Sequence, residues 1–196
     1  YISNHSSGKM GYALAEELAS RGAKVTLVSG PVSISAKHPH IHVLKVQTAD
    51  EMLQAAESIF PNVNAAIMTA AVADFKPRNP AAEKIKKSNS TPEIHLESTV
   101  DILQTLAKKK ESNQIVAGFA LETNDGRANA ESKVKNKNLD FIVLNELSKD
   151  NQVFGNDFNT IEIFGKHTGW LSFEKQSKPE AAKEIANYLD QLFNHA

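Results

Sequence analysis

Apolar and polar positions along the chain follow two periods, and the segments they mark out alternate. Met10, Ala13, Leu14, Glu17 and Leu18 recur at helical spacing within residues 9–21, and Gly22 offers the left-handed residue that commonly ends a helix. Short β-rich runs at 24–28 and 41–46 predict strands. Thr48-Ala49-Asp50-Glu51 is a capping box, so a helix should start there and run to about residue 59. Further strands are expected at 65–69, 94–96, 114–117 and 141–144, with helices at 101–109 and 128–137. Residues 1–3 read as the end of a strand whose beginning is missing.

After residue 145 the rhythm changes. Residues 160–164 and 170–173, separated by Gly165 and Gly169, predict an antiparallel hairpin. Ser177-Lys178-Pro179-Glu180 is a second capping box, opening a last helix that should reach residue 193. Strand and helix alternating in this way imply an α/β domain on a mostly parallel sheet.

Composition narrows the chemistry. The 196 residues include 22 Lys+Arg, 23 Asp+Glu and no cysteine. Thiol nucleophiles, thiolate metal sites and disulfides are excluded, and the chain fits a reducing compartment such as the cytoplasm. A net charge of −1 argues against a general nucleic-acid binder. No apolar run reaches the ~18–20 residues of a membrane span. With 41% hydrophobic residues, one large core needs no metal or disulfide staple.

Ser6, Gly8 and Gly11 fall on the spacing of a dinucleotide-type glycine turn, with serine in the first glycine's place. Such a turn aims backbone N–H groups and a helix start at an anion, although a packing turn has the same spacing. A P-loop is excluded, because Met10 stands where Ser or Thr would hold magnesium. A nicotinamide cofactor needs an acid at the end of the second strand, where this chain has Ser29-Gly30-Pro31.

Thr69 to Phe75 directly follows a buried strand, which places Asp74 where ligands bind in open α/β sheets; its carboxylate suits ribose or a magnesium ion bridging phosphates. Lys76, Arg78, Lys84, Lys86 and Lys87 form a basic stretch opposed by Glu83 alone; Pro77 and Pro80 make it a loop, and residues 75–92 are a candidate active-site lid, although a solvated charge run has the same composition. Lys133 and Lys137 share a helix face, a second basic set that surface solvation also explains. His38, His40 and His42 lack a fourth ligand and read as loop or edge-strand residues. No nucleophilic side chain stands out, so any chemistry here is expected to be electrostatic.

Residues 1–11 (YISNHSSGKMG), 70–74 (AAVAD), 84–87 (KIKK), 118–123 (GFALET) and 137–140 (KNLD) stand in this order in one chain. Together they resemble the bacterial phosphopantothenoylcysteine synthetase family, often the carboxy-terminal half of a bifunctional coenzyme A biosynthesis protein. The resemblance implies a modified Rossmann-like three-layer fold over residues 1–196, with the first strand truncated, a homodimer, and a ligase that uses CTP and Mg2+. It implies 4′-phosphopantothenate and L-cysteine as substrates, an acyl-cytidylate intermediate, and fusion in some relatives to a flavin-dependent decarboxylase. It gives no reason to expect nucleic acid or membrane as a partner. Asn4 then lies beside the acyl-cytidylate and Lys84 matches the lid lysine. Gly8, Met68, Thr69, Ala70, Asp74, Phe119, Lys133 and Lys137 match nucleotide-contacting positions. The family's Asn-Pro-Asp-Ile turn appears as Thr99-Val100-Asp101-Ile102, a departure at the proline, and implies backbone contacts by Val100, Asp101, Ile102 and Leu103. The competing readings are an NAD(P)-linked oxidoreductase and a non-catalytic nucleotide-binding module.

Overall fold

The computed structural model describes residues 4, 6–81, 83, 93–122, 125–146 and 157–194. Five helices and eleven strands follow one another among them: α1 (Lys9–Ser20), β1 (Val25–Ser29), β2 (Ile41–Lys45), α2 (Ala49–Ile59), β3 (Ala65–Met68), β4 (Phe75–Pro77), β5 (Leu96–Ser98), α3 (Ile102–Lys109), β6 (Ile115–Glu122), α4 (Gly126–Lys137), β7 (Phe141–Glu146), β8 (Phe158–Asn159), β9 (Ile161–Gly165), β10 (Gly169–Ser172), β11 (Gln176–Ser177) and α5 (Lys178–Asn194). The central sheet has the order β10-β9-β7-β6-β3. Strands β3, β6 and β7 run parallel, and β9 and β10 add antiparallel at one edge. The expected C-terminal hairpin is therefore present. β1 and β2 form a separate parallel pair.

Alternation along the central strands builds the three layers. Ile115, Ala117, Phe141, Val143, Ile161 and Ile163 point to one face and pack against Leu14 of α1 and Ala181, Ala182, Ile185 and Tyr188 of α5. Val116, Ala120, Ile142 and Leu144 point to the other and meet Met52 of α2, Ile102 and Leu106 of α3, and Ala130 and Val134 of α4. Each large side chain so buried contributes about 1.5–3 kcal/mol relative to exposure. Asp140 fastens the start of the sheet. Its carboxylate accepts from Lys110 Nζ at 2.8 and 2.9 Å and from the Val116 N–H at 2.7 Å.

Both capping boxes form as expected. Thr48 Oγ1 accepts from the Glu51 N–H at 3.1 Å while the Glu51 carboxylate accepts from the Thr48 N–H. At α5, the Glu180 carboxylate accepts from the Ser177 N–H at 2.8 Å. Three expectations need correction. The strand expected at 114–117 continues to Glu122, because Gly118 is a packing glycine rather than a break: a Cβ there would stand 2.6 Å from Leu103 Cδ2. The short strand expected at 94–96 lies at Leu96–Ser98. Its partner is β4, so residues 75–77 of the proposed lid are not loop but an edge ribbon, where Pro77 is tolerated. The strand end expected at residues 1–3 lies outside the described residues.

Candidate active site

The helix start comes first. Gly8 is the N-cap of α1 with φ +72°, and no side chain caps the helix. Ser6 Oγ lies 3.4 Å from the Gly8 nitrogen. A Cβ on Gly8 would meet Val32 Cγ1 at 3.0 Å, so both the turn and the packing require glycine. The turn read from the Ser6–Gly8–Gly11 spacing is therefore present, and its glycine also serves packing.

A chain of contacts runs from that turn along the carboxyl ends of β3 and β6. Asn4 Nδ2 donates to the Val72 carbonyl at 3.1 Å, which orients the exposed amide. At Gly11, a Cβ would stand 2.5 Å from Thr69 Oγ1, so the backbone of α1 lies directly on Thr69. Met68 pairs with Gly118 across the parallel ladder, and Gly118 is covered by Leu103. Two residues before Leu103, Asp101 caps α3, its Oδ1 accepting from the Gln104 N–H at 2.9 Å. Asp101 Oδ2 accepts from Lys137 Nζ at 2.6 Å, and Glu122 Oε1 accepts from Lys133 Nζ at 2.5 Å. Ala70, Asp74 and Val100 are exposed along the same row, whereas the Ile102 side chain is buried and leaves only backbone to offer. Phe119 is half-buried, and its ring packs with the α1/α5 side of the sheet, the face opposite Leu103.

Electrostatics of the row are more balanced than the sequence implies. Burial raises the Asp101 carboxyl, but the Lys137 ammonium and the Gln104 N–H outweigh it and leave the group below the usual carboxylate range. Lys76 pairs with Asp50 at 2.6 Å and lies 3.8 Å from Glu97; Arg78 lies 3.7 Å from Glu97. These two members of the basic stretch are therefore already matched by carboxylates. Lys84, Lys86 and Lys87 lie outside the described residues. Spacing alone missed Asp50, Glu97 and Glu122, because each meets its lysine or arginine across elements distant in sequence.

No group of three or more His, Asp or Glu residues suited to a metal occurs among the described residues. His38 and His40 contact each other edge to face. A single exposed carboxylate at Asp74 still fits magnesium held chiefly by substrate phosphates, since that ion commonly takes one or two carboxylates and keeps its other sites for phosphate and water. At the end of β1, buried Ser29 accepts from the Tyr12 hydroxyl at 3.1 Å, so a neutral hydroxyl occupies the place of a ribose-binding acid. Among the described residues no helix is long and apolar enough to cross a membrane.

Gly11→Ala tests the close approach of α1 to Thr69. The added methyl should overpack this contact and lower stability by about 1–3 kcal/mol. Thermal denaturation should show the loss, and Thr69→Ala in the same chain should restore most of it. A single variant as stable as the parent would mean the contact is loose.

Comparison with known proteins places this geometry in a family. Residues 1–192 match the model of the DNA/pantothenate metabolism flavoprotein C-terminal domain. The coenzyme A biosynthesis bifunctional protein CoaBC of Bacillus subtilis is 40% identical over 98% of this chain and 47% of its own length. A prokaryotic protein named cysteine/cysteine sulfinic acid decarboxylase is 45% identical over 94% of this chain and 52% of its own. The chain thus spans about half the length of these relatives. Among solved structures, the C-terminal domain of CoaBC superposes with a TM-score of 0.83 at 34% identity, covering 100% of this chain and 87% of that one. The chain belongs to the family of DNA/pantothenate metabolism flavoprotein C-terminal domains, and its three-layer α/β fold is that of the CoaBC C-terminal domain.

Proposed function

We propose that this chain is a phosphopantothenate–cysteine ligase that uses CTP. The observation that carries the reading is the set of contacts that gathers Asn4, Gly11, Thr69, Leu103, Asp101, Lys137 and Lys133, far apart in sequence, about the carboxyl ends of β3 and β6. It is supported by the CoaBC relatives and by the fold of a Cab2 mutant in complex with phosphopantothenate-cysteine, which superposes with a TM-score of 0.74 at 17% identity.

In the proposed reaction the carboxylate of 4′-phosphopantothenate attacks the α-phosphorus of CTP and pyrophosphate leaves. The cysteine amine then attacks the acyl carbon of the acyl-cytidylate, CMP departs, and the amine proton passes to solvent or buffer. An acyl phosphate anhydride makes an unreactive carboxylate a competent acyl donor. The protein's work is to orient three reactants and stabilise charge, which needs no nucleophilic side chain. The α1 start at Gly8 suits phosphate. The Asn4 amide suits the oxyanion that forms on the acyl carbon. Asp74 would hold magnesium, whose charge would offset that of the leaving pyrophosphate.

Lys84 is assigned by the resemblance to the turnover of the intermediate, and Lys84→Gln should lower amide formation by ~10²–10³-fold. Near-normal turnover of that variant would remove Lys84 from the mechanism. A second copy of the chain is the proposed cover for the β4–β5 ribbon, where Phe75 and Leu96 are 52% and 46% exposed. A cytoplasmic setting and fusion to a flavin-dependent decarboxylase are proposed on the resemblance alone. An NAD(P)-linked oxidoreductase is disfavoured by Ser29.

The direct test supplies CTP, magnesium, 4′-phosphopantothenate and cysteine and follows the amide product. Product that depends on CTP supports the ligase. CTP binding without product favours a non-catalytic nucleotide-binding module.

A further inference from the structure

A second cluster of charge lies on the α1/α5 side of the sheet, apart from the residues gathered at β3 and β6. Lys9 is the first residue of α1 and Lys178 the first of α5, and both line a cleft of about 380 Å³ between the two helix starts. Ala13, Ile34 and Pro179 supply its apolar wall. Ile34 also lies beside the Gly8 turn, where a Cβ on Gly8 would stand 3.5 Å from Ile34 Cδ1. Lys9 Nζ donates to Asp157 Oδ1 at 2.6 Å, and the Asp157 carbonyl accepts from the Lys178 N–H at 3.0 Å. Lys178 is buried, with 6% of its surface exposed.

Among the residues that line the cleft, two ammonium groups share one carboxylate. Taking an ammonium out of water is costly unless an anion compensates it. Burial, followed by the nearby Lys9 ammonium, pushes the Lys178 amine below the usual lysine range, and Asp157 offsets only part of this. The Asp157 carboxyl is held below the usual carboxylate range by its bond to Lys9, so it stays ionised and engaged there. The arrangement suits an anion with several oxygens. A cation would meet two ammonium groups, and a neutral group would leave their repulsion in place. A phosphate carries up to two charges and presents oxygens in three directions, so one group can accept from both lysines at once. The first turn of α1 has no acidic residue and no side-chain cap to oppose it.

We propose that the cleft between the starts of α1 and α5 binds a terminal phosphate of one reactant, held by Lys9 and Lys178, with Asp157 competing for Lys9. The proposal rests on the reading of the chain as a ligase that takes CTP and 4′-phosphopantothenate. Both end in such a group, CTP in the pair of phosphates that leaves and the other substrate in its 4′-phosphate.

Calorimetric titration of the parent protein, Lys178→Met and Asp157→Asn with CTP, CMP, 4′-phosphopantothenate and pantothenate tests this. Methionine keeps most of the buried stem and removes the charge. Lys178→Met should weaken either CTP or 4′-phosphopantothenate by roughly tenfold, the size of one charge-assisted hydrogen bond. The matching ligand without the terminal phosphate, CMP or pantothenate, should change by less than about twofold. Which pair responds identifies the source of the phosphate. Asp157→Asn should tighten the same ligand by about threefold, because Lys9 is released to it. A merely structural role moves both variants in one direction. Unchanged affinities in Lys178→Met, an equal loss with and without the terminal phosphate, or weaker binding in Asp157→Asn would overturn the proposal. Lys9→Met, whose side chain is 38% exposed, gives the same comparison should Lys178→Met fail to fold. A parent that makes the amide while every variant matches it in all four titrations would overturn the phosphate site and leave the ligase reading standing. A parent that holds a terminal phosphate through Lys178 and makes no amide would do the reverse.

Discussion

Asn4→Asp is expected to slow acyl transfer far more than it weakens CTP binding. In the parent, the Asn4 amide donates to the Val72 carbonyl, and that bond orients a neutral hydrogen-bond donor at the edge of the site. A carboxylate of the same shape cannot donate to that carbonyl and is repelled by it. On the proposed mechanism it also places negative charge beside the tetrahedral oxyanion. Removal of one oxyanion donor costs ~10²–10³ in kcat, and the added repulsion should put this variant at the upper end of that range. Because the charge on the acyl oxygen appears only during reaction, the dissociation constant for CTP should change by less than about threefold, well short of the tenfold step that 1.4 kcal/mol represents. Single-turnover rates and equilibrium titration separate the two quantities. Equal losses in both would assign Asn4 to binding or local folding instead.

The largest effect on stability is expected at Gly165. A Cβ built there falls 1.7 Å from the Tyr188 hydroxyl, 2.4 Å from Thr168 Oγ1 and 2.9 Å from Tyr188 Cζ. Tyr188 is buried, packs edge-on against Phe141 with ring centroids 5.1 Å apart, and shares a 2.6 Å hydrogen bond with Thr168. An alanine methyl would push the phenol out of this position, breaking the hydrogen bond and opening the contact with Phe141. Overpacking of 1–3 kcal/mol and a hydrogen bond of about 1 kcal/mol together predict a loss of ~3 kcal/mol. For a chain of this size that lowers the melting temperature by roughly 6–12 °C. Tyr188→Phe removes the atom that the methyl strikes first, so the double variant should recover much of the loss. A Gly165→Ala chain that melts with the parent would show that Tyr188 yields freely.

Gly165, Gly118 and their neighbours show what can be read from a sequence. The Thr48–Glu51 box was legible because both partners lie within four residues, as were the helix at residue 9 and the hairpin formed by β9 and β10. Gly165 was read as hairpin punctuation, yet the turn glycine is Gly169, with φ +76°. Gly165 belongs to β9 and is small because of Tyr188, 23 residues further on by sequence number. Gly118 masked the length of β6 in the same way, since the atom that fills its space belongs to Leu103. Prolines led the start of the lid to be read as loop, whereas an edge strand accommodates Pro77.

At the site, residue types were legible and their charge balance was not. Lys133 and Lys137 fall on one helix face by spacing alone. That each would meet a carboxylate, from β6 and from the cap of α3, depends on how three elements converge. Lys76 and Arg78 looked like free cations for the same reason. The glycine turn was legible because its spacing is local, and its place beside Thr69 became visible only with the helix laid across β3.

The central claim is activation of a carboxylate by CTP, and the half-reaction isolates it. The protein is incubated with CTP, magnesium and 4′-phosphopantothenate, cysteine is left out, and the mixture is analysed by mass spectrometry. The account predicts the acyl-cytidylate and pyrophosphate together, with the acyl-cytidylate consumed and CMP released once cysteine is added. Bound CTP with neither product would contradict it.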